Sequence, residues 1–542
     1  MMSRQTTLVG SGDISLKEIS RETLLPEISS HSRGVAKTVP LSILDNTVVR
    51  YALTGAVWYL DKPAVEDGAE ALSPAILTRS LRATANSYAA WAGQLHWMPY
   101  DPSVTLRHGR VGITYGSTAD PGIELIVAAS SQTISPLLPS REQRLSDGFW
   151  DTASLPSEKL LCPVRLALHN TNEWAGRPSV SVQLTTFACG GLSIAVRITH
   201  VLADATALLW FIRDWNAVHR ALLFNQPLPH LSPIFDPRLI DKAAAGNLDT
   251  SAPDPGLLKI SRSLPQHRYD WWASADGCPP PMLPQTRPPP ELEGADLGPP
   301  GELLPWHEWD LSLPVGHCLI YFTPKEIENM WQDASSQQPP GVRVSRLDAL
   351  LAFVWKLVVR ARGLEHDKEL VNMVLTVGFR PRLSPPLPNS FLGSCITNAS
   401  AALTGEEVAS STTLSPLASA IRAVNASFTP TAIGALLHDL AHEVNPQRTW
   451  RAFVGRRHTL VTSWLTNDPY GIDFGTGTAP RLVEALMPNI DGCVHVMEGA
   501  PSTSGSEAQW RWYDRPVCVS LHVEKEALRR LLEDPELRKY QG

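Results

Sequence analysis

Ten prolines fall between Pro279 and Pro305, in the stretch CPPPMLPQTRPPPELEGADLGPPGELLP near the middle of the chain. Proline removes an amide donor and fixes φ, so neither a helix interior nor a central strand runs through such a segment. The reading is an exposed extended linker or crossover loop, which cuts the chain into two halves of roughly 250 residues, each the size of one mixed α/β domain. The expected boundaries are 1–255 for the first domain, 256–315 for the proline-rich crossover and 316–542 for the second domain. Disorder over the whole length is excluded, because 43% of residues are hydrophobic and the net charge is only −7 in 542 residues.

The same charge balance gives no attraction to phosphate backbones or anionic lipids, so neither nucleic acid nor a membrane is an expected partner. Seven cysteines lie far apart, odd in number and without a CxxC pair. They read as core hydrophobes in a reducing compartment. The first twenty residues carry no apolar run of signal-peptide length, so the expected location is the cytoplasm. Neither half shows a repeat of 20 to 50 residues, which excludes solenoids and propellers.

Both halves mix strand and helix patterns. Ala75–Trp91 carries helical spacing, whereas Gly191–Thr199 (GLSIAVRIT) alternates with period two and is followed by helical spacing at Leu208, Phe211, Ile212 and Trp215. That alternation puts His200 at the end of the apolar face of a strand, and Asp204 where a helix N-cap belongs. In the second half, Pro324 opens a helix, Ser345 precedes the apolar helix RLDALLAFVWKLVVRAR, and Val371–Val377 reads as a buried strand. On these facts alone a core histidine and a capping aspartate explain His200 and Asp204 better than catalysis does.

Several motifs lie in a fixed order around that pair. Phe187-Ala188-Cys189-Gly190-Gly191 leads into His200-Val201-Leu202-Ala203-Asp204. Ser42–Asp45 and Trp91–Leu95 precede them. Downstream come Val344-Ser345, Trp355, Ala361-Arg362, Phe379–Arg382 with Pro385-Pro386 and Gly393, then Thr462-Ser463-Trp464 and Asp473-Phe474-Gly475-Thr476-Gly477. Together they resemble the BAHD acyltransferases, which carry HxxxD and DFGWG motifs, and among them fungal secondary-metabolism members such as the trichothecene acetyltransferases. The resemblance spans residues 42–477 and departs from the family at Ala205, where a glycine is usual and the methyl stands to narrow the channel, and at Thr476, where tryptophan is usual.

The resemblance implies an α/β fold of two chloramphenicol acetyltransferase-like mixed-sheet domains. It further implies a monomer that moves an acyl group, most simply acetyl, from acyl-CoA to a hydroxyl of a specialised metabolite. His200 would be the general base, which suits an imidazole poised near neutral pH. Trp464 is nominated as oxyanion donor, with Thr462 helping; a packed aromatic is the other reading of Trp464. Asp204 would orient the site through an arginine, with Arg362 and Arg380 both candidates. Ser345 and Arg346 would hold a coenzyme A phosphate, unless Ser345 is an N-cap only. Asp473, Phe474, Gly475 and Gly477 would be structural.

No metal or permanently bound cofactor is implied; acyl-CoA is a co-substrate and the acceptor alcohol the other partner. Two alternatives remain open. One is a stand-alone condensation-type amide or ester former, although Thr199 stands where those enzymes carry a second histidine. The other is an inactive metabolite-binding protein. A kinase is excluded because Asp473-Phe474-Gly475 has no glycine-rich loop or HRD loop with it. His438 and His442, one helical turn apart, lack the glutamate of a zincin and read as a solvated helix face.

Overall fold

The computed structural model describes residues 14–27, 36–63, 70–101, 109–168, 173–500 and 511–541. The period-two stretch forms the strand Leu192–Ile198, whose residues are buried on both faces except Arg197. It is the centre of a six-stranded sheet ordered Leu16–Leu24, Ile123–Ser130, Val180–Thr186, Leu192–Ile198, Thr54–Leu60 and Leu482–Ala485. A seven-stranded sheet runs Ile396–Thr404, Leu370–Gly378, His458–Ser463, Cys493–Glu498, Val517–Glu524, Val315–Phe322 and Phe149–Asp151. Both sheets are mixed, since Ile123–Ser130 pairs in parallel with Val180–Thr186, and His458–Ser463 in parallel with both of its neighbours.

Each sheet is completed by a strand from the other half of the chain. Leu482–Ala485 pairs antiparallel with Thr54–Leu60, and Phe149–Asp151 pairs antiparallel with Val315–Phe322. Helices cover the sheets where their apolar faces require it. Ala205–Leu223 packs with Pro74–Ala85, where the Trp215 indole N–H donates to Ser80 Oγ at 2.9 Å. Arg346–Ala361 is buried along nearly its whole length, and a capping box between Ser345 and Asp348 opens it.

Several expectations are corrected. The helix expected over Ala75–Trp91 ends at Ala85 and continues as a tighter 3-10 segment, Asn86–Ala92, broken at Tyr88. The Tyr88 ring sits against Trp91 and Phe211 while its hydroxyl donates to Asp214, and those contacts hold it off the helical path. His438 is buried rather than solvated: its Nε2 accepts from Asp254 N at 2.9 Å and its Nδ1 lies 2.8 Å from Ala245 O. Six cysteines are buried as read, but Cys189 is exposed.

The largest correction concerns the proline-rich segment, which is neither wholly exposed nor featureless. Short 3-10 turns form at Pro280–Thr286, Pro290–Leu292 and Trp306–Glu308, each opened by proline at its N-terminus where the missing amide costs nothing, although Pro284 lies inside the first. Cys278, Thr286, Leu292 and Trp306 are buried, so side chains between the prolines anchor the segment to the body. A buried ion pair fastens it as well. Arg448 Nη2 lies 2.7 Å from Asp270 Oδ2, Gly301 N donates to the same oxygen at 2.9 Å, and Arg448 also reaches the carbonyls of Leu297 and Pro299.

Among the described residues no helix is long and apolar enough to cross a membrane, and no cluster of three or more metal-ligating side chains forms.

Candidate active site

The strand ends at Ile198, and His200 stands two residues later in the turn that leads to Asp204. Asp204 is the N-cap of Ala205–Leu223, accepting from Ala207 N at 3.1 Å through Oδ1. Its second oxygen takes Arg380 Nη1 at 2.5 Å and Cys395 N at 3.1 Å. Both partners of the ion pair are about 95% buried. Burial alone lowers an arginine's affinity for its proton, yet the Asp204 charge and hydrogen bond leave Arg380 raised. Of the two arginines proposed for Asp204 the structure selects Arg380. Arg362 pairs instead with Asp491 at 2.9 Å and donates to the carbonyls of Arg456 and His458.

Arg380 does more than neutralise Asp204. Its Nη2 donates to Phe391 O at 2.9 Å and Gly393 O at 3.1 Å, and Asp204 N donates to Gly393 O. The segment 391–395 is thus clamped on one side. Asp45 clamps the other side, since its Oδ1 accepts from Ser394 N at 2.7 Å. A Cβ on Gly393 would come within 3.0 Å of Asp45 Oδ1, and φ is +134° there, so both space and backbone call for glycine. Burial pushes the Asp45 carboxyl up to about 7, against the hydrogen bonds from Ser42 and Ser394 that pull it down.

The clamped segment presents Ser394 to His200. Ser394 Oγ lies 2.5 Å from the His200 carbonyl and 2.8 Å from His200 Nδ1. A hydroxyl has one proton, and a carbonyl can only accept, so that proton goes to the carbonyl. Nδ1 must then be the donor to Ser394, and Nε2 is left with its lone pair free to take a proton. The imidazole is held below its ordinary value of 6.5 by burial, only partly offset by the Asp204 charge. Tyr51 sets the ring's other side, edge-on at 5.6 Å, with its hydroxyl donating to Asn398 at 2.6 Å.

His200, Asp204, Arg380, Thr462 and Trp464 all line one cavity of about 680 Å³, and Ala205 lines it too. Trp464 follows the strand His458–Ser463 and rests edge-on against His495 at 5.0 Å. Its indole N–H makes no hydrogen bond among the described residues. A second cavity of about 1290 Å³ shares Ala52, Leu53, Leu486, Met487 and Pro488 with the first, so the two adjoin along a single shared wall.

Ser345 and Arg346 line neither cavity. Ser345 is engaged in its capping box, and Arg346 pairs with Glu328 at 2.7 Å, its guanidinium 4.3 Å from the ring centres of both Trp331 and Tyr513. The Asp473–Gly477 turn also lies off the cavity and docks the second half onto helix Ala205–Leu223. Asp473 pairs with Arg220 at 2.9 Å, Asn216 accepts from Phe474 N, and the Phe474 ring packs on Trp215 and His219. Gly475 and Gly477, at positive φ, let their amides turn back to the Asp473 carboxylate. Thr476 Oγ1 lies 2.9 Å from Asp473 O and 3.0 Å from Thr478 O, so its one proton stays within this turn.

Sequence reasoning assigned no role to Asp45, Ser394 or Tyr51. One signal pointed to Asp45 and one to Ser394, and none to Tyr51. Ser42–Asp45 has the Ser-x-x-Asp spacing of a capping box, and Ser394 directly follows the singled-out Gly393.

The family model described as "Transferase family" matches residues 14–246 and 317–534. The acyltransferase AFT15-1 of Alternaria alternata is 26% identical over 522 residues, covering 93% of this chain and 94% of that one. A putrescine hydroxycinnamoyltransferase of Oryza sativa subsp. japonica is 24% identical over 474 residues, 86% of this chain and 89% of that one. Among solved structures, F. graminearum TRI101 complexed with coenzyme A and deoxynivalenol superposes with a TM-score of 0.65 at 17% identity, covering 93% of this chain and 99% of that one.

Proposed function

The chain belongs to the Transferase (BAHD) family of acyl-CoA-dependent acyltransferases, and on that premise we propose that it carries an acetyl group from acetyl-CoA to a hydroxyl of a specialised metabolite, with His200 as general base. The observation that carries this reading is the Ser394 hydroxyl between the His200 carbonyl and Nδ1, which leaves Nε2 free inside the cavity.

In this mechanism Nε2 takes the proton of the acceptor hydroxyl as its oxygen attacks the thioester carbon. The carbonyl π pair moves onto oxygen, giving a tetrahedral oxyanion. The unengaged indole N–H of Trp464 is the donor for that oxyanion, with Thr462 beside it; such a donor typically contributes ~3–4 kcal/mol. The intermediate collapses by breaking the carbon–sulfur bond, and the proton on Nε2 goes to the departing thiolate. Atoms and charge balance with no other acid. The second cavity supports separate approaches for the two substrates, because a single shared wall divides it from the first. Given the partners of Ser345 and Arg346, the donor's phosphates are proposed to bind there only if the Arg346–Glu328 pair opens.

The pH profile tests the base. His200 is active when neutral, and burial lowers its affinity for a proton, so the acid limb of kcat/KM is expected below pH 6.5. A limb above 6.5 would refute this assignment. Ser394→Ala is expected to lower kcat about two- to tenfold with KM little changed, because a net hydrogen bond of ~0.5–1.5 kcal/mol that fixes the ring is lost. An unchanged kcat would show that Ser394 has no part in fixing the tautomer.

A further inference from the structure

Three tryptophans, Trp271, Trp309 and Trp450, line the His200 cavity on the side of the proline-rich segment, which adds Met282. Trp271 and Trp450 stack at 5.6 Å with an interplanar angle of 21°, and Trp309 abuts Trp450 at 6.3 Å. The strand pairing of Tyr269–Asp270 with Thr449–Trp450, together with the Asp270–Arg448 pair, fixes this wall to the body. The two elements bringing the indoles together are 179 residues apart along the chain, at Trp271 and Trp450, so the wall exists only because the crossover folds over the cavity.

Charge in the cavity is one-sided. Among the described residues Asp204 is the only carboxylate in its lining, and its oxygens are already taken by Arg380, Cys395 N and the helix amide. The cations in the lining are Arg380 and Arg50; Arg50 donates to Gln285 and lies 5.7 Å over the Trp271 ring. An ammonium entering this space would lose its water with no carboxylate free to pair with it, since Asp204 and Arg380 neutralise each other, and it would stand beside the Arg50 guanidinium. Indole faces do attract cations, but Arg50 already lies over Trp271. Neutral oxygen functions need no countercharge, and Gln285, Gln447, Asn398 and Thr376, each already hydrogen-bonded, keep further donor or acceptor capacity, as at the Thr376 O–H and Gln447 Oε1. The volume of about 680 Å³ lies within the range of ~300–1,000 Å³ that fits drug-sized ligands.

We infer that the acceptor is an uncharged alcohol with a broad, flat apolar body lying against the indole wall, and that an amine is not the acceptor. This deepens the acyltransferase reading and rests on it for the identity of the cavity. It sets the chain apart from a relative whose name specifies putrescine.

A matched pair of fluorescent probes tests the inference. Full-length protein is titrated at neutral pH with 1-pyrenemethanol and with 1-pyrenemethylammonium, which share a flat body and differ in charge. The alcohol is expected to bind at least about tenfold more tightly than the ammonium. It is also expected to bind at least about fivefold more weakly to Trp309→Leu and to Met282→Ala, each checked for an intact melting transition. Equal or tighter binding of the ammonium, no binding of the alcohol, or unchanged binding in both variants would overturn the inference. Thiol release from acetyl-CoA is followed separately. Alcohol binding without thiol release under any acyl-CoA would remove the acyltransferase reading and leave the acceptor class standing. Faster thiol release with the ammonium than with the alcohol would do the reverse.

Discussion

His200→Ala is expected to lower acyl transfer by at least about 10²-fold while leaving the protein folded. The side chain makes one hydrogen bond, from Nδ1 to Ser394 Oγ, and one edge contact, to Tyr51, and it stands in a turn after its strand has ended. Few contacts are lost, so the melting temperature should stay close to that of the wild type. The rate is read from free thiol released from acetyl-CoA in the presence of an accepted alcohol. A general base typically contributes 10²–10⁴-fold, and Trp464 and substrate positioning would remain in the variant. Wild-type turnover in His200→Ala would end the mechanism, whatever the fold.

The second large effect is on stability. Asp204→Ala leaves the Arg380 guanidinium buried without its carboxylate, which costs roughly 3–5 kcal/mol, and removes a helix cap worth ~1 kcal/mol. Arg380→Met leaves the carboxylate uncompensated and should cost a similar amount. The double variant should lose clearly less than the two single losses added together, because neither charge is then stranded. Urea unfolding of the three variants measures this. An Asp204→Ala protein as stable as the wild type would show that the pair does not support the 391–395 segment. Loss of activity on changing Asp204 would therefore reflect a displaced Ser394 together with the loss of the carboxylate charge that partly offsets the effect of burial on His200.

The course of the chain from strand to turn to helix was legible, because a switch from period two to helical spacing on either side of His200 leaves little choice for Asp204 except an N-cap. The partner of Asp204 was not. Arg362 and Arg380 both stand beside recognisable motifs, and only the clamp on Phe391 O and Gly393 O distinguishes Arg380. The tautomer of His200 was hidden for a similar reason. It depends on a serine 194 residues away that a buried aspartate holds in place. Proline content suggested an extended spacer, and it missed that tryptophans on either side of the prolines turn the segment into a cavity wall. The short strands Leu482–Ala485 and Phe149–Asp151 carry too few residues for a period to show.

The exchanged strand has a consequence for how the protein is made. Thr54–Leu60 is buried along its whole length, and one of its edges is satisfied only by Leu482–Ala485. At ~5–20 residues per second, synthesis of the intervening chain takes on the order of tens of seconds. Throughout that time the nascent first sheet presents an open, apolar edge, the kind of surface on which chains pair with one another. Truncation before residue 482 should therefore yield an insoluble product, not an isolated first domain, and the two halves should become soluble only when expressed together.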